Sequence, residues 1–98
     1  MIISIERQKN WTMEGHPEVK VAYKVPTAED FERIVTDKPS DCDLFKQFVT
    51  GISGVTDEQG TEYKPEDIVQ LPGTWAIVTG VARGIVESAT LGTAGKNE

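Results

Sequence analysis

At 98 residues, with 38% hydrophobic and 27% charged side chains, the chain has the composition of one small folded domain and not of a disordered segment. A formal net charge of −6, and ten Lys and Arg that nowhere cluster, argue against nucleic acid or an anionic membrane as partner. The apolar start Met1-Ile2-Ile3-Ser4-Ile5 meets charge at Glu6, too early for a signal-peptide core or a spanning helix, and the lone Cys42 has no intramolecular disulfide partner, so a cytoplasmic protein is expected.

In chain order, the first quarter reads as strand. Ile3 and Ile5 alternate with polar neighbours, as do Val19, Val21, Tyr23 and Val25. Glu14-Gly15-His16-Pro17-Glu18 carries turn chemistry between the two runs. A connection of that length sets Met13 opposite Val19 and Trp11 opposite Val21, so that the odd-numbered side chains share one face. Pro26 ends the second strand. Thr27 with Asp30 is a helix-start signature, and Ala28, Phe31, Ile34 and Val35 fall on one side of the helix that follows. Asp37-Lys38-Pro39 stops it. Ser40 with Asp43 repeats the start signal for a second helix striped by Leu44, Phe45, Phe48, Val49 and Ile52 and closed by Gly51 and Gly54.

Residues 53–63 read as a loop. Pro65 suits the first position of a short helix with Ile68, Val69 and Leu71 as its apolar contacts, and Pro72 ends it. A last helix over 74–91 spaces Val78, Val81, Ala82, Ile85, Val86 and Ala89 helically, although two glycines and many β-branched residues weaken it. The expected architecture is α+β: a β-hairpin (1–25) packed on a bundle of about four helices (27–91), in a single domain over 1–92 with a frayed tail at 93–98. The Phe45/Phe48/Ile52 stripe is expected to meet Val81, Ile85 and Val86, with Phe31 also in the core.

No residue pattern nominates chemistry, and no enzyme, cofactor or metal site is expected. His16, the sole imidazole, sits in a turn, and Asp41 and Asp43 beside Cys42 oppose a reactive thiolate. One Cys and one His do not make a zinc site. The run Asp57-Glu58-Gln59-Gly60-Thr61-Glu62 offers oxygen ligands but lacks the alternating order of a calcium loop. Gly51 and Gly54 follow a helix, with no Gly-Lys-Ser/Thr, so they make no phosphate loop. What remains are candidate protein-interaction residues: Trp11 and Trp75 as aromatic anchors, Val21 on the hairpin, and Gly80 and Gly84, whose four-residue spacing admits another backbone. Packing of the glycines against the chain's own elements is the plainer reading of that pair.

The order of signals over 45–92 carries a resemblance. A run Phe-Val-Thr-Gly-Ile-Ser-Gly-Val (48–55) leads into the acidic turn Asp57-Glu58-Gln59-Gly60, then Lys64-Pro65-Glu66-Asp67, then Leu71-Pro72-Gly73 before the final helix. This resembles the small tail assembly chaperones of long-tailed bacteriophages, with Ile52 where that family often carries Trp. The resemblance implies a non-enzymatic protein of the bacterial host cytoplasm that coats the tape measure protein, helps recruit tail tube subunits and is absent from the finished virion. It further implies that a frameshifted longer form is made in many such phages. Phe48, Val49, Ile52, Val55, Leu71 and Trp75 are then structural positions, not catalytic ones. Two other functions fit the same residues: a small structural or connector subunit retained in the particle, and an acidic regulatory adaptor. Hairpin edges in so small a domain also predict a homo-oligomer, with the strands or the Gly80/Gly84 face at the interface.

Overall fold

The structure, a computed structural model, describes residues 6–56 and 58–90. The alternation at Ile3 and Ile5, Asp57 of the acidic turn and the tail at 93–98 lie outside the described residues. Strands β1 (Gln8–Met13) and β2 (His16–Lys24) form the N-terminal hairpin, and helices α1 (Ala28–Asp37) and α2 (Asp41–Phe48) follow. Next come β3 (Val49–Ser53), the single turn α3 (Pro65–Ile68) and the long helix α4 (Trp75–Ala89). The three strands make one antiparallel sheet in the order β1-β2-β3. The α+β class, with a hairpin on four helices, is therefore the architecture.

The hairpin keeps the expected register from Gln8↔Lys24 to Thr12↔Lys20, including Trp11↔Val21. It then departs from it: Met13 pairs with His16, not Val19, and the turn is only Glu14 and Gly15, the latter at φ +82°. Pro17 has no N–H to continue a ladder; 17–19 have no partner on β1, and the pairing resumes at Lys20 within a strand that is continuous from His16 to Lys24. This unpaired stretch of β2 is closely approached by Gly54, φ +84°, where a Cβ would stand 2.0 Å from the Glu18 carbonyl oxygen. Only glycine fits there.

A second correction concerns α2. Its helix stops at Phe48, and Val49 to Ser53 continue directly as strand, with Val21 opposite Ile52 and Tyr23 opposite Val49. A bulge leaves Thr50 without a partner residue in the register, and its hydroxyl donates to the Ala22 carbonyl at 3.3 Å. That one extra residue puts Val49 and Ile52, three apart, on the same face. Helical spacing in the sequence is thus produced by a bulged strand. The stretch 27–91 consequently is not helical throughout.

Caps follow the sequence closely. Thr27 accepts from the Asp30 N–H at 3.0 Å, and Asp30 Oδ2 accepts from the Thr27 N–H at 3.1 Å, a reciprocal box. Ser40 Oγ accepts from the Asp43 N–H at 3.2 Å. Lys38 closes α1 in the left-handed region, φ 51°, its N–H donating to the Ile34 carbonyl at 2.9 Å.

The core lies between the inner sheet face and α4, closed by α2 and α3. Val19, Val21 and Tyr23 from β2 meet Leu44, Phe45 and Phe48 from α2, Ile68 from α3, and Ile77, Val78, Val81, Ala82 and Ile85 from α4. Phe45 and Phe48 are core residues as expected, and Ile52 and Val86 pack against the core cluster from its margin. Phe31 is not: it is half-buried, and α1 buries no residue at all.

Candidate interaction surface

Gly80 and Gly84 lie on the side of α4 that meets the sheet. A Cβ on Gly80 would stand 2.6 Å from Trp11 Cζ2, and one on Gly84 would stand 3.2 Å from Tyr23 Oη. The glycine pair is therefore filled from within the chain, by two rings of its own sheet. Trp11 is half-buried in that contact. Val21 is fully buried and offers nothing to a second molecule. Val21 is thus a core residue, while the half-buried Gly80 and Gly84 receive the chain's own Trp11 and Tyr23.

Tyr23 adds a polar element that the sequence pattern did not single out. Its hydroxyl shares a hydrogen bond with Ser88, whose own Oγ donates to the Ile85 carbonyl at 2.8 Å, so the one buried hydroxyl of α4 is satisfied. Burial, reinforced by the nearby Glu87 carboxylate, raises the phenol above its ordinary 10.0.

Trp75 behaves differently. It is 67% exposed, a large apolar surface left in water at the first turn of α4. The backbone beneath it is held firmly. The Thr74 hydroxyl reaches back to the Ile68 and Leu71 carbonyls at 2.9 and 3.0 Å, joining the end of α3 to the start of α4. Thr79 Oγ1 donates to the Trp75 carbonyl at 2.9 Å.

The other exposed large hydrophobic residue is Val35 on α1, at 56%. Helix α1 lies against α4, yet only its Ile34 packs on the core cluster. The helix is amphipathic with its apolar side only partly covered: of Ala28, Phe31, Ile34 and Val35, expected on one side, Ile34 packs on the core cluster.

His16 pairs with Glu18 at 3.5 Å on the exposed hairpin end, while Cys42 is half-buried against the core margin. Among the described residues no group of three or more His, Cys, Asp or Glu is placed to hold a metal ion. Among them, too, no helix is long and apolar enough to cross a membrane. Compared with protein-family models, with curated proteins and with solved structures, the chain matches none.

Proposed function

We propose that this chain is a non-enzymatic, polypeptide-binding protein of the tail-assembly-chaperone kind, acting in the bacterial host cytoplasm on the tape measure protein of a long-tailed phage. The observation that carries the binding role is Trp75, an indole 67% exposed on a hydrogen-bonded helix start. Tryptophan is enriched among the few side chains that dominate protein–protein affinity. The phage assignment rests on the order of residues over 45–92, with Ile52 as the point where this chain departs from the family pattern.

The test is co-expression with a tape measure protein. The wild-type chain keeps that protein in the soluble fraction, and Trp75→Ala, at an exposed site, loses this without unfolding. A wild-type chain that leaves the tape measure protein insoluble refutes the chaperone role. A second reading, a connector subunit retained in the particle, is favoured by β1, which among the described residues ends the sheet and offers an edge for strand addition. Mass spectrometry of purified particles separates the two: the chaperone is missing from them, and the connector is present in stoichiometric amounts.

A further inference from the structure

We draw no further inference here: the strongest candidate, the partly covered apolar side of α1 around Phe31 and Val35, is bordered by Glu32 as well as by Lys38, so that its charge selects no partner, and nothing in the structure shows what covers it.

Discussion

Trp11 closes on the backbone of α4 because residue 80 has no Cβ, and Tyr23 does the same at residue 84 with slightly more room. The two glycines should therefore respond differently to alanine. Both substitutions gain roughly 1 kcal/mol of helix propensity. At Gly84 the new methyl meets the end of the Tyr23 side chain at 3.2 Å, so a small shift accommodates it and the net change in urea denaturation should be near zero. At Gly80 it would overlap a rigid indole at 2.6 Å, and overpacking of that kind costs about 1–3 kcal/mol. Gly80→Ala should thus destabilise, and it should cease to do so in a Trp11→Ala background, a coupling that a double-mutant cycle reads directly. Equal losses for both glycines would mean that the indole is not what fills the groove. Tyr23 supplies a prediction in alkali. Its phenol is held neutral above the ordinary 10.0, first by burial and then by Glu87. The stability this contributes is fully present below the unfolded value and is lost as pH rises through the folded one. Relative to Tyr23→Phe, wild type should lose stability progressively above about pH 10, as followed by thermal melts across that range.

At the scale of elements, helix α1 shows how local chemistry is readable and burial is not. Its capping box was legible in Thr27 and Asp30, because those side chains act on backbone groups three residues away. Thr27→Ala should cost about 1 kcal/mol. The Asp30 carboxyl lies below its ordinary 3.8, held there by the Thr27 backbone N–H and secondarily by Arg33. A depressed carboxylate contributes stability above its unfolded value and loses it as pH falls through the folded one. The gap between wild type and Asp30→Asn should therefore be present at pH 6 and shrink at pH values below about 4, as measured by urea midpoints; a gap independent of pH would show that charge plays no part in the cap. What the stripe of α1 could not reveal is that Phe31 is only half-buried and Val35 exposed, since periodicity records which residues share a side and not what lies against it. The α2–β3 junction failed for a related reason. Val49 and Ile52 sit at a spacing shared by a helix and by a strand with one bulged residue, and only the partner strand β2 decides between them. Pro17 did announce a break in pairing, but not that three residues would leave the ladder. Of the surface residues, Trp75 was identifiable from its place at a helix start, whereas Val21, Gly80 and Gly84 depended on long-range packing that no local pattern encodes.

For the molecule as a whole, the packing narrows the routes to self-association. The Gly80/Gly84 face is occupied by Trp11 and Tyr23, and Val21 is sealed beneath the sheet, so neither surface is open to a second copy. A charge of −6 opposes indiscriminate contact between copies. Among the described residues, however, the sheet ends on β1, whereas β3 at its other side has α3 against it. Strand addition at β1 would join two sheets into one by main-chain hydrogen bonds, which need no apolar patch. A homo-oligomer joined at β1 is therefore the expected state at high micromolar concentration. Asn10 and Thr12 are exposed on β1, flanking the half-buried Trp11. Lysine at both positions places like charges on two strands brought together and uses the same device by which natural edge strands resist pairing. Light scattering should show the wild-type oligomer dissociating in Asn10→Lys/Thr12→Lys while circular dichroism keeps its strand signal. Val35→Glu, placed on α1, should leave the oligomer unchanged. A wild-type chain that remains a strict monomer, or an oligomer indifferent to both lysines, would remove β1 from the interface.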